Sequence, residues 1–68
     1  MTTIRAEIRQ WRHNRRSIEG LCYGDTKAVY FDGEAIVILS IREILESPNF
    51  FIVVTDTDTY KLNKEERA

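Results

Sequence analysis

The sequence has few of the residues that build disulfide-bonded, metal-dependent or phosphate-binding proteins. Its 68 residues include one cysteine, Cys22, one histidine, His13, and three glycines. A single cysteine excludes an internal disulfide, and one cysteine with one histidine cannot supply a four-ligand transition-metal site within a monomer. The glycines do not have the Gly-x-Gly-x-x-Gly or Gly-Lys-Ser spacing of a phosphate-binding loop. We therefore expect no cofactor and no metal.

Long hydrophobic segments are also absent. The longest uninterrupted apolar runs cover residues 35–39 and 50–54, far short of the roughly 18 residues of a membrane-spanning helix. The first residues lack the apolar segment of a secretion signal. The sequence therefore predicts a cytoplasmic protein that makes no membrane contact.

The chain nevertheless has enough apolar residues for a core. Hydrophobic residues make up 43% of the sequence and aromatic residues 10%, beside 31% charged residues, which favours folding over disorder. A chain of this length buries only about 60% of the surface that its unfolded form exposes. Without a disulfide or metal, we expect a partner or a second copy to add stability.

Two β-hairpins are predicted from the distribution of β-branched and aromatic residues. Residues 28–31 and 35–39 flank Asp32-Gly33-Glu34, and Asp-Gly favours a tight turn. Residues 50–54 and 59–62 flank a second polar turn at residues 55–58, with Tyr60 and Leu62 facing the core.

The front segment fits two structures. Ile4, Ile8 and Trp11 are spaced as on an amphipathic helix capped by Thr2 or Thr3, whereas Ile4, Ala6 and Ile8 alternate as in a strand. Periodicity alone does not decide whether residues 3–12 are strand or helix. We favour a strand that breaks or bulges at residues 13–14 and continues through residues 17–23, because the rest of the chain is strongly β-patterned.

A short helical turn is predicted near residues 41–46. Ser40 is a suitable cap with Glu43 three positions later, and Ile41, Ile44 and Leu45 share one helical face. The predicted fold class is therefore mainly all-β, a small antiparallel sheet or half-open SH3-like barrel of about five strands with this turn. Residues 1–62 form the predicted single domain, and residues 63–68 a charged C-terminal tail with nothing to pack.

Charge is distributed unevenly along the chain. The first sixteen residues carry five arginines and one glutamate, and the other fifty-two carry five basic and ten acidic residues. Arginine and tryptophan are enriched where proteins bind proteins. We therefore predict a partner-binding surface that consists of Arg9, Trp11, Arg12, His13, Arg15 and Arg16.

Three other interpretations of this cluster stay open. Arginines beside a tryptophan also suit single-stranded nucleic acid, so a nucleic-acid-binding module is the alternative function. A homo-oligomer without an external ligand, joined through an exposed sheet edge, is the second alternative. The arginines can also be a solvated face, partly paired with Glu7 and Glu19, with Trp11 in the core.

No catalytic group of residues is predicted. Cys22 and His13 would form a nucleophile and base with Asp25 or Asp32 as orienting group, but a lone cysteine in an apolar stretch is typical of a buried core residue. Asp56-Thr57-Asp58 lacks the glycine and the terminal glutamate of a calcium loop. We expect these carboxylates to form turns, and we expect the protein not to be an enzyme.

Several short segments resemble small uncharacterised β-rich proteins of phages and mobile elements. The segments lie within residues 11–62: Ile18-Glu19-Gly20, Tyr23-Gly24-Asp25, Phe31-Asp32-Gly33-Glu34, Val54-Thr55 and Tyr60-Lys61-Leu62. The resemblance implies a protein that binds and modulates host machinery, as anti-CRISPR and anti-restriction inhibitors do. It implies no catalytic residues.

Overall fold

The structure, a computed structural model, describes residues 3–68. Six strands and one short 3-10 turn contain most of these residues. The strands are β1 (Ala6–His13), β2 (Ile18–Tyr23), β3 (Glu34–Ile38), β4 (Ile41–Glu46), β5 (Phe50–Thr55) and β6 (Thr59–Asn63). The 3-10 turn covers Lys64–Glu66. Thr2, considered above as a helix cap, lies outside the described residues.

The strands form one sheet in the order β3-β2-β1-β6-β5-β4. The central pair, β1 and β6, is parallel, and the other pairs are antiparallel. The outermost strands, β3 and β4, follow each other in the chain through Leu39 and Ser40, and Ser40 has a positive φ of 56°. Because two residues join the two edges, the sheet curls into a half-open shape. The mainly-β class is confirmed, with six strands instead of about five, and the sheet is mixed rather than wholly antiparallel because β1 and β6 are parallel.

The core lies inside this curl and draws side chains from five strands. Alternation in each strand turns one set of residues inward. The buried hydrophobic residues are Ala6, Ile8, Trp11, Ile18, Cys22, Ile36, Ile38, Val53, Tyr60 and Leu62. Tyr30, Ile41 and Phe51 pack against this cluster from its margin. The burial of Tyr60 and Leu62 confirms that both face the core, as predicted.

A β-bulge in β1 explains why the front of the chain resembled a helix. The register with β2 shifts between Arg9 and Arg12, and Gln10 has a positive φ of 50°. One extra residue lets Ile8 and Trp11, three positions apart, face the same side of the sheet. The preferred strand interpretation of this segment is confirmed, as is its break before β2.

Gly20 of β2 lies against this bulge. A Cβ atom at residue 20 would approach the Cγ2 atom of Ile8 to 2.6 Å and the carbonyl oxygen of Arg9 to 2.9 Å. Such contacts are closer than packed atoms tolerate, so the glycine allows the strands to pair beside the bulge.

The helical turn predicted near residues 41–46 is wrong, because this segment is strand β4. The register with β5 shifts between Ile41 and Glu43. This bulge gives Ile41 and Ile44 the same orientation although they are three residues apart. A spacing typical of a helix therefore arose from an irregular strand.

Two further expectations about local structure differ from what is observed. Residues 28–31 are not a strand but part of a loop between β2 and β3, so β3 pairs with β2 instead. The expectation that residues 63–68 have nothing to pack is wrong. Arg67 forms an isolated parallel β-bridge with Trp11, and the Ala68 N–H donates to the Trp11 carbonyl oxygen at 2.8 Å. The hairpin of β5 and β6 is confirmed.

Candidate protein-binding surface

Five of the six residues predicted to bind a partner are exposed. Arg9, Arg12 and His13 lie on β1, and Arg15 and Arg16 lie in the turn that joins β1 to β2. The Asn14 N–H donates to the Ser17 carbonyl oxygen at 2.8 Å and closes this turn. The arginines of this hairpin therefore lie along the central strand β1 and in the turn at its end.

Trp11 is the exception, because it belongs to the core. Its side chain is 3% exposed, and its indole Nε1–H donates to the Asn63 carbonyl oxygen at 2.8 Å. Its ring meets the Phe51 ring edge-on at a centroid distance of 5.7 Å, and the Arg67 guanidinium covers it at 5.4 Å. Trp11 thus packs in the core beneath the exposed arginines and offers no contact surface to a partner.

Two rows of side chains cross β1, β2 and β3 on the outer face of the sheet. The strand registers give these rows, in the order β1, β2, β3, as Arg9–Leu21–Ala35 and Arg12–Glu19–Val37. Ile8, Cys22 and Ile36 are their buried neighbours in sequence, and alternation places the rows on the opposite face. We call these six residues the β3 surface.

Arg9 is held in place within the β3 surface. Its guanidinium carbon lies 4.5 Å from the centre of the Tyr23 ring, and its Nε atom is 3.4 Å from a carboxylate oxygen of Glu7. A guanidinium on an aromatic face keeps donors free for another ligand. The expected pairing of an arginine with Glu7 is therefore confirmed.

Large apolar side chains are exposed along the edge formed by β3. Val37 on the β3 surface is 56% exposed and Leu39, just after the strand, is 61% exposed. Among residues 3–68, β3 has one neighbouring strand, β2, so its other edge is unpaired. A shallow groove over this area includes Arg12, Leu21 and Val37 in its lining. Apolar contact area and charge thus occur side by side.

The loop before β3 is built around a buried ion pair. The Arg5 guanidinium donates to both carboxylate oxygens of Asp25, at 2.8 and 3.2 Å, and to Asp58 at 2.9 Å. The Asp25 carboxylate, with no exposed side-chain surface, also accepts the N–H groups of Lys27, Val29 and Tyr30 at 3.0 Å each.

This loop holds Phe31 in the solvent. Phe31 is 85% exposed, and its N–H donates to the Glu34 carboxylate at 2.8 Å while the Glu34 N–H donates back to its carbonyl oxygen at 3.0 Å. An exposed aromatic ring on a fixed backbone loses little conformational entropy when a partner covers it. Phe31 therefore extends the apolar edge beyond the start of β3.

The electrostatics of the loop depend on these pairs. Hydrogen bonds from Arg5 hold the pKa of Asp25 far below its usual range, supported by the three backbone N–H groups. The Lys27 ammonium, 2.6 Å from Asp58, is the main cause of the lowered pKa of that carboxyl, and Arg5 adds to it. Both carboxylates therefore act as charged anchors of the loop.

The structure gives little support to a Cys22–His13 catalytic pair. Cys22 lies opposite Ile8, whereas His13 lies opposite Ile18 at the other end of the β1–β2 ladder. Burial raises the pKa of the Cys22 thiol, and the charge of Asp25 raises it further, which disfavours the thiolate. Asp25, weighed above as an orienting group, is bound to Arg5 instead.

The carboxylates considered above for a cation or a catalytic group form ion pairs and turns. Asp58 binds Arg5 and Lys27, Asp56 pairs with Arg42, and Asp32 accepts the Gly24 N–H at 2.8 Å. Across residues 3–68, no three His, Cys, Asp or Glu residues are placed to share a metal ion. The expectation that these carboxylates form turns agrees with the backbone contacts of Asp25 and Asp32, whereas the side chains of Asp56 and Asp58 pair with cationic side chains instead.

Sequence reasoning missed Phe31, Val37 and Leu39 as surface residues, because their β-forming character predicted burial. Leu39 had a usable signal, since it precedes Ser40 at the end of an apolar run. Phe31 had none, because the loop that exposes it is anchored at Asp25 by Arg5, which is distant in the sequence.

Comparisons of the chain with protein-family models, curated proteins and solved structures found no match. Within the part of the chain that the structure describes, no helix is long and apolar enough to cross a membrane.

Proposed function

We propose that this protein is a small non-enzymatic module that binds another protein through the β3 surface. The observation that carries the proposal is one row of side chains, Arg12–Glu19–Val37, which runs from an arginine on β1 to an exposed valine at an unpaired sheet edge. Protein interfaces combine an apolar centre with arginine contacts in this way.

The charges on this side of the sheet indicate an acidic partner. Arg9 and Arg12 lie on the β3 surface, and Arg15 and Arg16 extend the positive charge into the adjacent turn. Glu19 is the one acidic residue among the six residues of the surface. We infer that the partner presents carboxylates around an apolar contact, because complementary charge guides association and fixes orientation.

Phe31 and Leu39 supply apolar anchors at the two ends of the β3 edge. Their exposed fractions, 85% and 61%, leave most of each side chain free for contact. A partner strand aligned with β3 would pair with its free backbone groups and reach both side chains.

Nucleic acid ranks second as a ligand. Single-strand binding uses exposed aromatic rings between basic residues, but Trp11 is buried and Arg9 covers one face of Tyr23. The exposed arginines and the exposed ring of Phe31 favour this alternative.

The resemblance to proteins of phages and mobile elements extends the proposal to a host protein in the cytoplasm as the partner. Binding that blocks a working surface of this host protein would act as anti-CRISPR or anti-restriction inhibitors act. Such inhibition is stoichiometric and needs no catalytic residue or cofactor of its own.

The test is affinity capture from a bacterial lysate with and without nuclease. We expect the parent to retain a protein in both conditions and Arg12→Glu/Arg15→Glu to lose at least about tenfold of it, since two charges change sign against an acidic partner. The control, Lys61→Glu/Lys64→Glu, makes the same change in net charge on β6 and the residue after it, and should retain the partner.

Two results would contradict the proposal. Equal capture by both double variants would show that the arginines have no role in binding. Capture that disappears with nuclease, together with an affinity that falls steeply with salt, would identify nucleic acid as the ligand.

A further inference from the structure

The second unpaired edge of the sheet, β4, has a sequence suited to pairing with itself. Within residues 3–68, β4 has one neighbouring strand, β5. Ile44 and Leu45 of β4 are 38% and 47% exposed, and pairing with another strand would remove this apolar surface from water. No residue of the β3 surface lies on this strand.

The hydrogen bonding of the β4–β5 hairpin determines which backbone groups point to the free edge. The Ser47 N–H donates to the Phe50 carbonyl oxygen at 2.9 Å, and Leu45 lies opposite Ile52 in the same register. Hydrogen-bonded pairs alternate with non-hydrogen-bonded pairs in antiparallel strands. Leu45 and Glu43 therefore bond to β5, while the N–H and C=O groups of Ile44 and Glu46 point outward.

A second antiparallel β4 strand must match these outward groups. The two-fold axis that relates the two strands then has four alternative positions, beside Glu43, Ile44, Leu45 or Glu46. An axis beside Glu43 or Glu46 places that glutamate opposite the same glutamate of the second copy, and two like charges in direct opposition are unfavourable. An axis beside Leu45 sets Glu46 opposite Ile44. An axis beside Ile44 sets isoleucine opposite isoleucine and Arg42 opposite Glu46, twice by symmetry.

We propose that the protein forms a two-fold dimer in which β4 pairs antiparallel with β4 of a second copy, with the two Ile44 residues opposite each other. Arg42 of each copy then pairs with Glu46 of the other. This inference goes beyond the proposed function, because it concerns the other outermost strand of the sheet and uses no residue of the β3 surface.

The charges of β4 are available for this pairing. Arg42 contacts Asp56, and Glu46 accepts from Lys64 at 2.7 Å, within one chain. The side chains of Arg42 and Glu46 are largely exposed, and ion pairs of this kind hold their side chains weakly. A guanidinium has enough donors to bind Asp56 and a second carboxylate together.

The test measures mass by light scattering and dissociation by analytical ultracentrifugation. We expect the parent to have twice the chain mass, and Arg42→Glu and Glu46→Arg to weaken the dimer by about tenfold or more, because each opposes two pairs of like charges. Mixing the two variants should restore a dimer, because positions 42 and 46 then again pair one acidic with one basic side chain across the axis. Glu43→Gln, opposite Leu45 in this register, is the matched control and should dimerise as the parent does.

A second variant tests the backbone pairing. Ile44→Pro removes an outward N–H and no hydrogen bond to β5, so it should be a folded monomer by circular dichroism and mass. A parent that stays monomeric up to about millimolar concentration would overturn the dimer, since the bulge and charges of β4 then protect the edge. A dimer unchanged by both charge reversals would also overturn it. Neither result affects capture by the β3 surface.

Discussion

Asp25 connects two parts of the molecule through one carboxylate. It binds Arg5 from the segment before β1, and its backbone contacts fix residues 27–30. Removing one member of such a pair leaves the other charge without a partner and several N–H groups without an acceptor. The orientation of Phe31 therefore depends on a residue that lies outside the β3 surface.

The pH dependence of stability follows from the same carboxylate. The pKa of Asp25 is lower in the folded protein than in the unfolded chain, so the ion pair stabilises the fold above the ordinary carboxyl pKa of about 4. This stability is lost as the pH falls from about 4 toward the lowered value.

We expect the free energy of unfolding of the parent to decrease below about pH 4, and Asp25→Asn to be less stable at pH 7 with a shallower decrease in acid. Urea unfolding at a series of pH values measures both. An equally steep decrease in Asp25→Asn would contradict this assignment.

Individual residues also show where sequence reasoning succeeds. The arginines were predicted to be exposed because charge is rarely buried, and Arg9, Arg12, Arg15 and Arg16 are. Arg5 is different, because two aspartates from distant loops enclose it. A local pattern cannot predict a contact between residues 5, 25 and 58, since it depends on the completed sheet.

At the scale of elements, the two bulges explain the helix-like patterns. In β1 and in β4, an extra residue gives two apolar side chains three positions apart the same orientation. A helix produces the same spacing, so the pattern alone cannot separate the two structures. The regular strands β5 and β6 were predicted nearly to the residue because their alternation is not interrupted.

The C-terminal segment is an element that covers the core. Asn63 caps the 3-10 turn by accepting the Glu65 N–H at 3.0 Å, and the turn brings Arg67 over the Trp11 ring. We expect deletion of residues 64–68 to destabilise the protein by about 1–3 kcal/mol, through lost burial of Trp11 and loss of the backbone hydrogen bonds from Lys64 to Asn49 and from Ala68 to Trp11.

Thermal unfolding and tryptophan fluorescence test this deletion together. The emission of Trp11 should shift to longer wavelength in the folded variant, because water reaches the ring. Replacing Glu65 and Glu66 with glutamine keeps the segment and should leave the emission as in the parent. A deletion variant with the melting temperature and emission of the parent would show that the segment does not cover Trp11.

At the scale of the whole molecule, function is assigned to the two edges of a curled sheet. The β3 side of the sheet combines exposed apolar residues on and near β3 with arginines on β1, and the β4 edge combines apolar residues with charges of both signs. The sequence predicted a sheet with an exposed edge from its length and strand content. It did not predict which strands are outermost, because the parallel pairing of β1 with β6 joins distant parts of the chain.

Amide hydrogen exchange, measured for the protein alone and with the captured protein partner, tests the central claim about the β3 surface most directly. We predict slower exchange in Glu34–Ile38 and in the arginine turn at residues 14–17 when the partner is bound, with little change in Phe50–Thr55. Slower exchange in Phe50–Thr55 with none in Glu34–Ile38 would contradict the account.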